Sequence, residues 1–472
     1  PYRQYHYESP VDADLLTGVT DENGVRHRTI EYDAEGRATS SGLGDGSLEG
    51  STLDYSDLLD ASDPRTRVTN ALGKDTVYHF ATVAGLRLVI AVEGLASANC
   101  LADTQSREYD TETGWLLSEV DRGGAQTTYA YYTDAARYGL LQQRTEAAGT
   151  ARERVFQYDW DVHSRRLVEH TLLGEYRRGY DYDSAGRPLA ITLTDLSSDS
   201  VPYGTNGRQR RWTFQYTFFD PDEMTKVESV TIDGPRTDVD DWTVSRFSQQ
   251  GFLVEQVNAL GHSVSYLLHN ERGQPGRVID ANGVETRLYY TPRGMLERTE
   301  VENGASDVQT RFMRDAGNYL RTVVQADNSL EVYNYNAAGH LTGIINNVAE
   351  QMAFTLDKSG NPLLVEVLDA DFNVVRDLQF AYDEKGRLLR ETGSHGQVTG
   401  FGYDANGNLT SIATGPGQVF SRNYDELDHL AGLGYPDATS AIFSADPQGR
   451  FSRVEDQRGL ATVYHQDGLG NL

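Results

Sequence analysis

The stretch FGYDANGNLTSIATGPGQVFSRNYDELDHL, Phe401 to Leu430, decides the fold. Tyr403-Asp404 and Tyr424-Asp425 stand twenty-one residues apart in it, each followed by a short turn-like run and then a leucine. The template is an aromatic, then Asp or Asn, with glycine four residues after the aromatic. It recurs at Tyr290 with Gly294, Tyr335 with Gly339, Tyr382 with Gly386 and Tyr403 with Gly407. Copies that keep the glycine and lose the tyrosine fall at His269 with Gly273, Met313 with Gly317 and Leu356 with Gly360. From Gly251 the register runs through these glycines to Gly407, passes Asp428 in place of a glycine, and continues to Gly449 and Gly470. Its steps lie between 21 and 26 residues.

Upstream the pattern loosens. YDAEGR supplies Tyr32 and Gly36, YDSAGRPL supplies Tyr182 and Gly186, and weaker copies begin at Tyr109 and Tyr158. Longer insertions, several of them acidic, separate these copies, and insertions in a repeat array usually become loops. The chain therefore divides into an irregular part, 1–250, and a regular part, 251–472, with no clean domain boundary between them.

One unit reads as a β-hairpin. A glycine four residues after the aromatic suits a tight turn that needs positive φ, and a neighbouring Asp or Asn favours the same geometry. A second turn lies mid-unit, as in DANG (Asp280–Gly283), TGSHG (Thr392–Gly396) and TGPG (Thr414–Gly417). Two turns in about 21 residues leave two strands of roughly six, rich in Val, Thr, Tyr, Phe and Leu. Counting back by twos from Tyr403 gives Phe401 and Thr399, with Gly402 and Gly400 between them, so one face is aromatic and the other small or polar. Stacked hairpins are expected to align these aromatics into cross-strand ladders. A lone hairpin is marginal, so stability must come from the array. The fold class is all-β: stacked hairpins in one continuous, curving antiparallel sheet. Gly386 and Gly407 are expected to tolerate a β-branched residue less well than an off-register glycine such as Gly46.

Composition narrows the function. Hydrophobic content of 38% with 24% charged residues fits a folded chain, and the formal charge of −28 repels nucleic-acid phosphates while favouring basic partners. The longest apolar run, VAGLRLVIAVEGLA, is broken by Arg87 and Glu93, so no membrane span is expected. A single cysteine, Cys100, excludes an internal disulfide and reads as a small buried residue rather than a nucleophile. His-Glu-x-x-His, Cys-x-x-Cys and phosphate-loop motifs are absent, so no catalytic, cofactor-binding or metal-binding residue is expected and the chain is not read as an enzyme. Asp-rich turns such as TDENG and DADFN lack the closing glutamate of a calcium loop.

Tyr32-Asp33 to Arg37, Tyr182-Asp183 to Leu189, Tyr382-Asp383 to Leu388 and YDANGNL (Tyr403–Leu409) resemble the YDxxGRL units of the RHS, or YD-repeat, family. VEGLASANC, Val92 to Cys100, is similar to a segment found among bacterial members. The resemblance implies a sheet spiralling into a hollow shell, with Tyr32, Tyr182, Tyr290, Tyr335, Tyr382, Tyr403 and Tyr424 as structural repeat anchors. In bacterial polymorphic toxins and insecticidal toxin complexes such shells enclose a toxic C-terminal domain, and teneurins use a similar shell for adhesion. The DPxGxxGG-type segment that follows the repeats in the family does not occur before Leu472. The expectation is thus a shell segment whose toxin domain lies outside this chain. The implied partners are that enclosed toxin and components of a secretion system, with manufacture in a bacterial cytoplasm and export to the outside. The alternative is a carbohydrate-binding or adhesion module on the same sheet. It draws on the 28 tyrosines, of which Tyr5, Tyr7, Tyr131, Tyr132 and Tyr138 fall partly out of register.

Overall fold

The computed structural model describes residues 2–198, 204–304 and 306–466. Among them lie 39 strands, from β1 (Gln4–His6) to β39 (Ala461–Val463), and every strand pairs antiparallel with its neighbour in sequence. The molecule is a single meandering sheet. Its regular part shows the two-strand unit directly: β33 (Val398–Tyr403) and β34 (Leu409–Ala413) enclose one turn, and β35 (Val419–Tyr424) follows a second.

The two kinds of turn are built alike. Asp404 N–H donates to the Asn408 carbonyl at 3.0 Å, Gly407 N–H donates back to Asp404 at 3.3 Å, and Gly407 has φ of +100°. This is a type I turn followed by a left-handed residue that forms a bulge. Mid-unit, Gly283 N–H donates to Asp280 and Gly283 has φ of +83°. Where the glycine is replaced, Asp428 itself takes a positive φ of 59°. In the Met313 copy the left-handed residue is Asn318 rather than Gly317. Gly470 lies outside the described residues.

Register shifts beyond the turn bulges concentrate on one edge of the sheet. The register shifts immediately before Tyr32, Tyr182, Tyr290, Tyr335, Tyr382, Tyr403 and Tyr424, each the last residue of its strand. The mid-unit hairpins on either side of β33 carry no such shift. An extra residue bends its strand and sharpens local twist. Repeating it along one edge makes the ribbon curl.

Two expectations need correcting. Around β33 no continuous aromatic ladder forms: in register, Phe401 faces Ile412 and Ile412 faces Phe420, so aromatic and aliphatic side chains alternate across these strands. Gly46 is not a neutral glycine, because its φ is +97° and its carbonyl lies where a Cβ on Gly42 would stand. Its hairpin turn imposes the same left-handed geometry that the repeat turns do. Gly415 is the proper contrast, since its φ is not positive and a Cβ there would meet open space. A Cβ on Gly407 also meets nothing within 4 Å, so only the backbone conformation opposes a side chain there. Gly407→Val should lose about 1–2 kcal/mol, whereas Gly415→Val should stay within about 0.5 kcal/mol of the parent. Urea unfolding of the two variants checks this.

Candidate functional site: the seam between successive turns of the sheet

Each letter of the repeat has a bond to make. In YDEKGRL the Asp383 carboxylate accepts from the backbone N–H of Lys385 (2.9 Å) and of Arg387 (2.8 Å), and from Arg387 Nε (2.7 Å). Asp33 with Arg37, Asp183 with Arg187 and Asp446 with Arg450 repeat the arrangement. Burial alone would raise the Asp33 carboxyl, but the N–H and guanidinium of Arg37 outweigh it and hold that carboxyl below the ordinary range. Where the arginine is absent, Asn408 Nδ2 donates to Asp404 from the same position at 3.1 Å.

The arginine then reaches forward. Arg387 lies 4.8 Å from the centroid of the Tyr403 ring, and the Tyr403 hydroxyl donates to the Leu388 carbonyl at 2.9 Å. Arg37 with Tyr55 and Ala38, and Arg187 with Tyr216 and Pro188, form the same interlock. Tyr32, Tyr290 and Tyr424 likewise donate to Leu16, Pro275 and Leu409. Tyr182, Tyr335 and Tyr382 occupy the same strand end, and no such hydroxyl bond is found for them among the described residues. Every one of these contacts binds one hairpin to the next.

The curled sheet meets itself edge to edge. The connection after β2 (Gly18–Thr20) touches the one after β25 (Val308–Arg314), where Gly317 N–H donates to Asn23 Oδ1 at 2.9 Å. The connection after β10 (Leu116–Val120) touches the one after β33, where Asn406 Nδ2 donates to Asp121 at 3.1 Å. The connection after β14 (Leu167–Leu172) touches the one after β37 (Ser440–Ala445), through Gln448 and Glu175 at 3.2 Å. Each meeting is 23 strands on (25 less 2, 33 less 10, 37 less 14). An odd count is required, because the edge of tyrosine turns must land on the opposite edge, the edge of mid-unit turns.

The densest part of this seam joins the Asp383 turn to the loop at 95–103. Glu384 accepts from Ser97 Oγ (3.1 Å), Asn99 N–H (3.2 Å) and Asn99 Nδ2 (3.0 Å), while Asn70 Nδ2 donates to the Glu384 carbonyl at 2.9 Å. Asp103, its side chain 2% exposed, is clamped between Lys385 and Arg122. Farther along, Arg152 pairs with Asp425 at 2.7 Å and donates to the Ala445 carbonyl at 3.0 Å, and His340 Nε2 lies 2.7 Å from Glu49. Asp383, Cys100, Ala147, Leu172 and Ala338 are all buried here. A one-layer sheet has little interior elsewhere.

Desolvation works against the Glu384 and Asp425 carboxyls, yet both lie below the usual range. Backbone N–H groups and Ser97 hold down Glu384, and the N–H groups of His429 and Leu427 with the charges of His429 and Arg152 hold down Asp425. Glu22 is lowered chiefly by its own backbone N–H, with Arg3 and Arg293 adding to it.

The last residues of VEGLASANC form the bed on which the Asp383 turn rests, a task that the sequence alone does not assign to them. The buried Cys100 packs there, with a guanidinium nitrogen of Arg387 at 4.0 Å from its sulfur. Tyr131 is corrected to an in-register residue: it ends β11 (Gln126–Tyr131), and its hydroxyl donates to Leu116 at 3.0 Å. Tyr132 is engaged with the Tyr158 carbonyl and Arg137, while Tyr5, Tyr7 and Tyr138 remain exposed. The Asp280 and Asp369 turns use their carboxylates on backbone N–H groups of their own loops. Among the described residues no helix is long and apolar enough to cross a membrane.

The fold is shared. Superposition on the crystal structure of TcdB2-TccC3-Cdc42 gives a TM-score of 0.63 at 13% identity, over 93% of this chain and 26% of the other. That of TcdB2-TccC3-TEV gives 0.48 at 14% identity, over 92% and 25%. In sequence, 334 residues are 25% identical to double-stranded DNA deaminase toxin A of Burkholderia cenocepacia, covering 63% of this chain and 18% of that protein. This chain therefore spans about a fifth to a quarter of the length of the proteins it matches. The RHS Repeat profile matches residues 382–419 and 403–440. Residues 382–440 thus carry RHS repeats, and the sheet as a whole shares the fold of the TcdB2-TccC3-Cdc42 structure.

Two outcomes follow for the seam. Asp383→Ala leaves the partly buried Arg387 guanidinium and two turn N–H groups without their acceptor, and should cost on the order of 3 kcal/mol in urea unfolding. The lowered Glu384 and Asp425 pKa values place their stabilising effect above the unfolded carboxylate value, near pH 4, and it is lost as pH falls through the folded values. Small-angle scattering should therefore report constant dimensions from neutral pH to about pH 5 and expansion below about pH 4.

Proposed function

We propose that this chain is part of the wall of an RHS shell that encloses a toxin domain outside this chain and carries it through secretion. The irregular part, 1–250, and the regular part, 251–472, act as one wall rather than as two domains. The observation that carries this reading is the seam: turn-to-turn bonds between residues 273 to 314 apart close the ribbon edge to edge, as a container requires and an open binding platform does not. The anchors Tyr32, Tyr182, Tyr290, Tyr335, Tyr382, Tyr403 and Tyr424, with the turn glycines Gly36, Gly186, Gly294, Gly339, Gly386 and Gly407, serve wall construction. Chemistry belongs to the cargo, and the deaminase named in the Burkholderia relative is that protein's own. The bacterial relative supports synthesis in a bacterial cytoplasm and export by a dedicated secretion system, whose components are the second partner.

The test uses the complete gene product. Its C-terminal domain should resist added protease, and Lys385→Glu with Arg152→Glu, which opposes Asp103 and Asp425 across the seam, should expose it. The present chain expressed alone in bacterial cytoplasm or periplasm should leave growth unchanged. Killing that a single carboxylate substitution abolishes would place a catalytic site in the repeats and overturn the reading.

A further inference from the structure

A second feature borders the seam, where Arg293 pairs with Glu22 at 3.7 Å. A groove of about 840 Å³ opens beside Tyr289, Arg293, Arg298, Arg311, Phe312 and Arg314, with Met313 and Pro292 on its apolar rim. Four guanidiniums gather there in a chain whose net charge is −28. Of the carboxylates that line it, Asp315 is engaged with the Tyr319 N–H and Arg321, which leaves Glu297.

The register makes this arrangement costly. Tyr289 faces Arg298, and Arg298 faces Arg311, directly across three adjacent strands. Like charges placed directly opposite one another destabilise a sheet. The same problem occurs once more nearby, where Arg277 faces Arg287, and there Glu285 bridges both guanidiniums at 2.6 and 2.9 Å. Among the described residues no carboxylate bridges Arg298 and Arg311 in this way. Glu300 is shared among the Tyr289 hydroxyl, Gln309 and Arg298, while Arg311 donates only to the Gln309 side-chain oxygen. A buried Nε of Arg314 also lacks a hydrogen-bond partner.

Arg298 already stacks on Tyr289, at 3.9 Å from the ring centroid, which fixes its plane; Glu300 lies 3.5 Å from Nη1, and Nη2 is the edge offered to an anion. The exposed Met313 and the Tyr289 ring supply apolar contact beside it. We propose that this groove binds an acidic peptide segment, with a carboxylate bridging Arg298 and Arg311 as Glu285 bridges Arg277 and Arg287, and an apolar side chain resting on Tyr289 and Met313. Charge complementarity selects the class: the groove is locally positive, whereas the acidic remainder of the chain repels long polyanions such as nucleic acid.

The probe is a fluorescein-labelled peptide of alternating glutamate and leucine, followed by anisotropy at low and at physiological salt. Binding should be saturable and salt-sensitive, and Arg311→Gln should weaken it by about tenfold or more, as loss of a charge-assisted fork would. Arg390→Gln, an exposed arginine elsewhere on the sheet, should leave it unchanged. Without peptide, Arg311→Gln should melt no lower than the parent, because it relieves an opposed like-charge pair, and peptide should raise the melting temperature of the parent alone. Equal binding by Arg311→Gln, no binding at millimolar peptide, or a lower melting temperature of free Arg311→Gln would overturn the proposal. Equal affinity for inorganic phosphate or short single-stranded DNA would overturn the peptide assignment in favour of a general anion site.

Discussion

The aspartate carboxylate of the tyrosine turn is the group on which the other contacts depend. One oxygen of Asp383 takes two backbone N–H groups and so shapes the turn; the other holds Arg387. The arginine, positioned in this way, lies over Tyr403, and that tyrosine's hydroxyl is tied to the Leu388 carbonyl. Turn geometry, arginine placement and hairpin-to-hairpin spacing thus share one carboxylate. Breaking it disturbs a local turn and the junction with the next unit together, which is why the motif reads as a block rather than as separate preferences.

A single-layer sheet has no opposing layer to cover its faces, so most side chains stay half exposed and few are buried. Neighbour-to-neighbour bonds of the repeat supply an array energy, as in other repeat proteins. The seam adds contacts of a different kind, polar and charged, between elements far apart in sequence. Buried ion pairs of this sort contribute modest net stability but strongly penalise the wrong partner. Asp103 between Lys385 and Arg122 therefore serves register more than cohesion: a slip of one unit along the seam would leave a buried carboxylate unpaired.

Curvature follows from where the extra residues sit. Register shifts within the ladder recur beside the tyrosines and are missing from the mid-unit hairpins around β33. The period of 23 strands is then the count at which the curled ribbon brings opposite edges together. The glycines take part in both functions. Gly407 answers a backbone demand, while Gly317 keeps a normal φ and allows close approach to Asn23, whose amide would stand 2.5 Å from an added Cβ.

The hairpin unit, its length, the positive-φ glycines and the all-β class were legible in the sequence because each is set within about 21 residues, where turn chemistry and alternation act locally. Asp428 even showed its substitution for glycine through the spacing alone. Tyr131 was misread because the insertion after it hid the register, and Gly46 because a different turn can demand the same φ. The opposed Arg298 and Arg311 were equally invisible, since like charges conflict only once two strands are paired. The seam lay furthest from view: Glu384 and Asn99 are 285 residues apart, and no local preference encodes that distance. Sequence determined the repeating unit and the bonds joining each unit to the next. Only the tertiary structure decided which turns meet after a full circuit, because that depends on the small bend of every hairpin summed over 23 strands.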